Sequence, residues 1–176
     1  MEGLQVIGQY NIKCWRKSAD TTRYLAWEED AHNKITNQGL DYLNNVFFFT
    51  NAKPAGEYLI LVSSNTVANA NMNYSTPVFT ESVSYGTTAR PTANFVVSLN
   101  QSTNTSAAPA NFTMNTTETE YGAALVMGPV ANTNTVNDKA TSGAILFSYA
   151  QFANARSVVA TDIVSLTYTA TAISNS

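Results

Sequence analysis

The 176-residue sequence has little charge. Asp, Glu, Lys and Arg make up 12% of it, about half the usual share of a soluble domain, and the net charge is −3. Lys and Arg form no cluster along the chain. Surfaces that bind nucleic acids or anionic membranes usually carry a basic patch, so we expect neither as a partner. The longest apolar run, GAALVMGPVA from Gly122, is far too short to cross a bilayer.

Cysteine and histidine occur once each. Cys14 cannot form an internal disulfide, and its place on the alternating face Tyr10, Ile12, Cys14 predicts a small buried hydrophobe. His32 follows a run of acids in WEEDAHN, but a zinc site needs three or four protein ligands, so no metal site is expected. The start, MEGLQVIGQYN, lacks the basic start and apolar core of a secretion signal, which predicts synthesis and folding in a cytoplasm.

Residue patterns for catalysis are also scarce. A single histidine and no Gly-x-Ser-x-Gly elbow leave no basis for a serine or cysteine triad, and no glycine-rich phosphate loop is present. Glu118 and Glu120 form the one close carboxylate pair, and we expect them to line an exposed strand edge. They are the sole support for the weakest alternative, a carbohydrate-active enzyme. We therefore predict a non-enzymatic protein without a cofactor.

Asn and Thr replace the missing charges, which favours strands joined by many turns. YNIKCW alternates apolar with polar residues, KSADTT supplies a turn and RYLAWEED runs back, so residues 4–30 are predicted to form a hairpin. About eight or nine strands are expected in all, those after the hairpin falling within residues 57–172. EYLILVSS is a continuous apolar run and predicts a strand buried on both faces, and VFTESVSYG alternates and predicts another. The Asn- and Thr-rich GPVANTNTVNDKATS is predicted to connect the strands YGAALVM and GAILFSYA. The fold class is thus all-β, a mainly antiparallel, jelly-roll-like β-sandwich in one domain, residues 1–176, with one short α-helix after the N-terminal hairpin.

That helix is predicted over residues 36–49, in NKITNQGLDYLNNVFFF. Thr36 is the expected N-cap, with Ile35 and Leu40 spaced as a hydrophobic staple. Gly39 weakens the helix by about 1 kcal/mol relative to Ala. The spacing predicts a single apolar stripe that faces the sandwich. Its members are Leu40, Leu43, Val46 and Phe47.

Three stretches together resemble a family of tailed-bacteriophage structural proteins. NKITNQGLDYLNNVFF is similar to that family's helix segment, which follows a hairpin with a Trp near the end of its second strand, as Trp27 stands here. TESVSYGTTARPT is similar to the family's turn with Glu81, Tyr85, Arg90 and Pro91 in step. Together with the closing strand described next, the matching stretches span nearly the whole chain in the same order.

The third stretch, ARSVVATDIVSLTYTATAIS, resembles the family's closing strand, with Arg156, Asp162 and Leu166 at matching places. Thr161 departs from the resemblance, because the family usually has Gly there. We therefore expect the turn before the last strand to differ in shape.

The resemblance implies a virion protein of the head decoration or cement type. Such a protein is made in the host cytoplasm, lies on the capsid surface, binds the major capsid protein and stabilises the head. It implies a homo-oligomer, a trimer rather than a dimer. The alternative is a tail- or fibre-associated adaptor or host-surface-binding module, in which aromatic residues on loops, such as Tyr74 and Tyr121, stack on sugars.

The predicted partner-binding residues are Tyr10, Ile12, Trp15 and Trp27. A terminal strand can add to the sheet edge of a partner, so residues 4–17 with Trp15 are the expected capsid contact. Alternation places Trp15 and Trp27 on faces opposite Cys14 and Ala26, where they pack on each other or face a partner. The competing interpretation is that this strand belongs to the sandwich itself.

Overall fold

The computed structural model of the chain describes residues 3–49, 56–104, 108–128 and 144–175. The elements, in chain order, are β1 (Gly3–Lys17), β2 (Arg23–His32), β3 (Lys34–Ile35), α1 (Asn37–Phe48), β4 (Glu57–Val62), β5 (Val96–Ser98), β6 (Gln101–Thr103), β7 (Ala110–Thr113), β8 (Glu118–Met127), β9 (Ile145–Val158) and β10 (Ile163–Asn175). The Asn- and Thr-rich connection predicted between β8 and β9 lies outside the described residues. So does the predicted stop of the helix after Phe49.

These strands form two antiparallel sheets. The first has the order β2-β1-β10-β6-β5, with β7 also paired to β10, and the second has the order β3-β9-β8-β4. The sheets and the helix after the hairpin confirm the predicted fold class, an all-β sandwich-like fold. The hairpin predicted over residues 4–30 is confirmed as β1 and β2.

The main core lies between the two sheets. Tyr10, Ile12 and Cys14 of β1 are fully buried there, and Val164 and Leu166 lie beside them on the paired strand β10. These are the positions that the alternating pattern of the two strands predicts. Leu59 and Leu61 of β4 supply part of the opposing layer from the second sheet.

The second sheet is buried on its other face as well. Ile60 and Val62 of β4 pack there against Met72, Tyr74 and Phe79, which belong to the connection between β4 and β5. A strand covered on both faces reads as a continuous apolar run, as EYLILVSS does, and that prediction is confirmed.

The stretch VFTESVSYG was expected to form a strand, and that prediction is wrong. Glu81 makes one isolated bridge to Val62, and Tyr85 makes another to Met114. The stretch passes from the edge strand β4 toward the end of β7, so it crosses between the sheets and forms no continuous ladder with either. Burial along the crossing does not follow the alternation, because Glu81 and Ser82 are both buried and Val83 is exposed.

Helix α1 begins where predicted, and the predicted stripe packs in part: Leu43 lies against the main core, while Leu40 and Phe47 stay exposed. Thr36 caps it by accepting from the Gly39 N–H at 3.0 Å. Leu40 is 44% exposed and Phe47 is 74% exposed, whereas Gly39 is buried. A Cβ at Gly39 would overlap the carbonyl oxygen of Phe147, so the glycine lets the helix backbone lie directly on β9.

A glutamine fixes the first turn of α1 to its neighbours. The Gln38 side-chain oxygen accepts from the backbone N–H of Tyr74 at 2.9 Å and of Leu146 at 2.8 Å. The helix is therefore held by backbone groups of β9 and of the β4–β5 connection. No helix within the described ranges combines the length and apolar character that a membrane span requires.

Candidate interaction surface

Two of the predicted contact residues, Tyr10 and Ile12, are fully buried. The Tyr10 hydroxyl lies 2.7 Å from the Ser148 hydroxyl, and its ring lies 4.6 Å from that of Tyr168. Along residues 9–15 both edges of β1 are also occupied, because β2 pairs with one and β10 with the other, whereas residues 3–7 pair with β10 alone among the described strands. Tyr10 and Ile12 are therefore core residues, which corrects that part of the prediction, while addition of a partner's strand beside residues 3–7 stays a prediction.

A β-bulge separates the two tryptophans. Trp15 pairs with Leu25, while Cys14 pairs with Trp27, so Ala26 is the extra residue of β2. Paired residues share a face of the sheet, and Trp27 therefore turns inward with Cys14. The expected packing of Trp15 on Trp27 is wrong, because an alternating pattern does not reveal an inserted residue.

Trp27 instead helps to close the sandwich along one side. Its indole N–H donates to the Ser157 carbonyl at 3.0 Å, and the Arg156 guanidinium lies 5.8 Å from its ring centroid. Arg156 also pairs with the buried Glu29, which accepts in addition from the Ala153 N–H at 2.8 Å. We call this set, Trp27, Glu29, Arg156 and Ser157, the seam. It joins β2 of one sheet to β9 of the other.

The stretch TESVSYGTTARPT contains a second buried ion pair. Arg90 donates to both carboxylate oxygens of Glu81 at 2.7 Å, and also to the Tyr74 hydroxyl at 2.7 Å. Burial alone would lower the pKa of Arg90, but the hydrogen bonds and charge of Glu81 more than offset this and raise it. Tyr74 is buried here and Tyr121 lies within β8, so neither is the exposed loop aromatic expected for sugar stacking.

A third pair precedes the last strand. Asp162 is fully buried and accepts from Arg16, the nearest distance being 2.7 Å, and from the Val159 N–H at 2.9 Å. Burial alone would raise the pKa of Asp162, but these hydrogen bonds hold it below its ordinary value. Burial, with the charge of Asp162 adding, raises the pKa of the Cys14 thiol to about 12. Cys14 is thus a buried thiol at neutral pH, as predicted.

Thr161, the departure from the resemblance, adopts φ +75°. That is the left-handed region, which glycine enters easily and a β-branched residue rarely does. The turn therefore has the backbone that a glycine would favour, and the expected difference in turn shape stays a prediction.

The carboxylate pair on β8 is not on an exposed edge, which corrects that expectation. β8 lies between β4 and β9, Glu118 is half-buried and Glu120 is fully buried. Ser82 donates to Glu118 at 2.6 Å, whereas among the described residues neither carboxylate oxygen of Glu120 has a partner within hydrogen-bonding distance. Burial, together with the charge of Glu118, raises the pKa of Glu120 to about 8. Glu120 is thus protonated at neutral pH.

Within the described part of the chain, no three His, Cys, Asp or Glu side chains lie close enough together to hold a metal ion. Glu29, one of the acids beside His32, is engaged in the seam.

A group of exposed apolar side chains lies at the end of α1 and at the β5–β6 hairpin, and sequence reasoning missed it. We call it the apolar end. Its exposed side chains are Phe47 (74%), Phe48 (80%), Phe49 (67%), Val96 (55%), Val97 (71%) and Leu99 (99%). The signal in the sequence is the run FFF, because three consecutive aromatics cannot all fit one helical stripe.

An apolar groove of about 330 Å³ runs between the helix and the hairpin at this end. Phe47 and Val97 line its rim, and Phe147 and Tyr168 lie deeper. Tyr42, Leu43 and Val46 of α1 form the helix side of the groove beside Phe47.

Of the four predicted contact residues, only Trp15 stays at the surface of the sandwich's outer face, half-buried beside Leu25. Comparison of the sequence with protein-family models finds no match. A comparison with curated proteins also finds none. The resemblance to phage structural proteins therefore stays a prediction.

Proposed function

We propose that this chain is a non-enzymatic virion structural protein of the head decoration or cement type, which binds the major capsid protein lattice and stabilises the head. The observation that supports an assembly role is the apolar end, where six large apolar side chains are exposed together. Contiguous apolar patches of this kind mark protein–protein contacts. The virion assignment rests on the resemblance in sequence.

The positions that match the resemblance have structural roles in this fold. Glu81 and Arg90 form one buried pair, Asp162 and Arg16 another, and Leu166 lies in the core. Similarity at such positions is a likeness of fold, as expected among proteins that act by binding and not by chemistry.

Binding to a repeating capsid lattice needs no strong single contact. When many copies each touch two or more subunits, weak contacts combine into a stable shell. A polar surface with few charges lets copies lie close together without strong repulsion. Trp15 and its neighbour Leu25, 42% exposed, form a second, smaller apolar patch for such a contact.

The direct test is the location and copy number of the chain in purified phage particles that encode it. We expect hundreds of copies, with density for the chain over the capsid in a cryo-EM reconstruction. A dozen or fewer copies at one vertex would support the tail or fibre alternative instead, and particles without the chain would overturn the virion assignment. Adding the purified protein to heads that lack it should give saturable binding and greater resistance of the heads to heat.

A further inference from the structure

Leu99 is the most exposed apolar residue in the described part of the chain. It stands at the turn between β5 and β6, 99% exposed, with φ +52°. A non-glycine residue in the left-handed region costs roughly 1–2 kcal/mol, and only Asn and Asp enter it readily. In an isolated chain, leucine at this turn therefore has two disadvantages: its backbone is strained, and its apolar side chain is exposed to water. A site on a neighbouring molecule would remove the second disadvantage.

The groove of the apolar end is a site that suits such a side chain. Its volume of about 330 Å³ is at the lower end of the range of pockets that hold small molecules, so a leucine side chain fits with room to spare. The groove is apolar, and Val97 of the same hairpin forms part of its rim. The chain therefore presents a projecting apolar tip and an apolar hollow next to each other.

The exposed area is part of what a stable contact requires. With about 150–250 Å² for a whole Phe side chain, the six exposed residues leave on the order of 800 Å² uncovered. A standard protein–protein interface buries about 800 Å² on each partner. Val96 and Val97 point to opposite faces of their strand, so one partner covers part of this area, and the apolar end supplies a portion of one side of an interface.

Charge favours a second copy as the occupant. None of the six residues of the apolar end is ionisable, and among the described residues that line the groove Glu57 alone carries a charge. Two copies that meet here bring almost no like charges together, whereas like charges set opposite each other would suppress self-association.

We infer that the apolar end is the surface at which copies of this chain meet, with Leu99 of one copy seated in the groove of the next. In a two-fold dimer the insertion is reciprocal, and around a ring each copy gives one tip and receives another. The inference rests on the assembly role proposed for the apolar end, but it does not depend on the virion assignment.

The test is the molar mass of the purified full-length chain in solution, measured by sedimentation velocity over a wide concentration range. We expect a dimer or trimer. Leu99→Asn removes the tip while suiting the left-handed backbone, and Phe48→Lys places a charge in the contact while suiting the C-terminal end of a helix. Each variant should raise the dissociation constant of self-association at least tenfold while leaving the thermal midpoint at low concentration equal or higher.

Val78→Asn is the matched control, because Val78 is also exposed (76%), apolar and at positive φ (+70°), but lies outside the apolar end. It should keep the oligomer intact. A wild-type chain that stays monomeric at every concentration overturns the inference, as does an oligomer that survives both Leu99→Asn and Phe48→Lys. Heads that still take up a monomeric chain would show that the proposed function holds while this inference fails.

Discussion

The seam and the apolar end treat side chains in opposite ways. At the seam, Glu29 is buried and accepts from Arg156 and from the Ala153 N–H, and Trp27 donates to Ser157. At the apolar end, Phe48 and Leu99 stand almost wholly in solvent. One region gathers charge and hydrogen bonds into the interior, while the other leaves apolar surface outside.

The difference separates the parts that hold the fold from the part that meets a partner. Buried ion pairs give few stabilising gains over a well-packed apolar core, but losing one member is costly, so they fix how the sheets meet. Exposed apolar surface does nothing for the fold of a single copy and gains its value only when it is covered. Variants at the charged pairs should therefore change stability, and variants at the apolar end should change assembly.

The largest effect is expected at the Glu81–Arg90 ion pair, which is buried and, like the Glu29–Arg156 pair of the seam, hydrogen-bonded. Arg90→Met keeps the length of the side chain but removes the two hydrogen bonds to the Glu81 carboxylate. Breaking a buried pair in this way costs about 3–5 kcal/mol. Urea unfolding of the purified variant should show that loss in the free energy of unfolding.

The double variant Arg90→Met with Glu81→Leu is its control. It removes both charges, so it should regain most of the stability that the single variant loses. A single variant within about 1 kcal/mol of the wild type would contradict a structural role for this pair.

A second prediction concerns Glu120, the buried glutamate that lacks the partners Glu29 has. Its pKa of about 8 in the folded chain exceeds that of an ordinary glutamate, so the folded chain keeps a proton that the unfolded chain loses. Stability should therefore fall as the pH rises from about 4.5 to 8 and level off above that. Glu120→Gln cannot ionise, and it should be more stable than the wild type at pH 9 by a few kcal/mol while differing little at pH 4 to 5.

Urea unfolding at a series of pH values measures this difference directly. Glu118→Gln removes the neighbouring charge that helps to raise the Glu120 pKa. The loss of stability between about pH 4.5 and 8 should therefore be smaller in this variant, and its stability at neutral pH higher. Wild-type and Glu120→Gln curves that run parallel from pH 5 to 9 would show that Glu120 does not titrate as described.

Much of the fold could be predicted from the sequence, because strands with one buried face, such as β1 and β10, alternate apolar with polar residues. Features that insert or omit one residue could not. The bulge at Ala26 reverses the orientation of Trp27. The alternating stretch VFTESVSYG predicted a strand but makes two isolated bridges. Tyr10 and Ile12 were assigned to a contact but lie in the core for a related reason, since a period of two does not say which of two half-buried faces the second sheet covers.

The third prediction tests how α1 is seated beside the apolar end. Gly39→Ala adds a methyl group where the Phe147 carbonyl already lies, so the helix must move away from β9. We expect a loss of about 1–3 kcal/mol, although Ala is intrinsically the better helix former. Gly86→Ala is the control, because a Cβ there meets only the Thr113 carbonyl, at 3.9 Å. Equal effects of the two substitutions on thermal unfolding would argue against close packing of the α1 backbone on β9 at Gly39.

The smallest effect, and the one of opposite sign, is expected at Thr161 in the turn beside the Asp162–Arg16 pair. Its φ of +75° strains a β-branched residue, and its backbone N–H donates to the Met114 carbonyl at 2.8 Å, which holds the turn in place. Thr161→Gly should relieve about 1–2 kcal/mol of backbone strain. The greater freedom of glycine in the unfolded chain should offset up to about 1 kcal/mol of that gain. The net result should be a stability equal to or slightly above that of the wild type in urea unfolding.

Thr161→Ala separates the two terms, since it keeps a Cβ at positive φ and should gain little. A clear loss of stability in Thr161→Gly would mean that the threonine side chain supports the charged pair beside it, and the turn would then belong with the seam as a region fixed by its polar contacts.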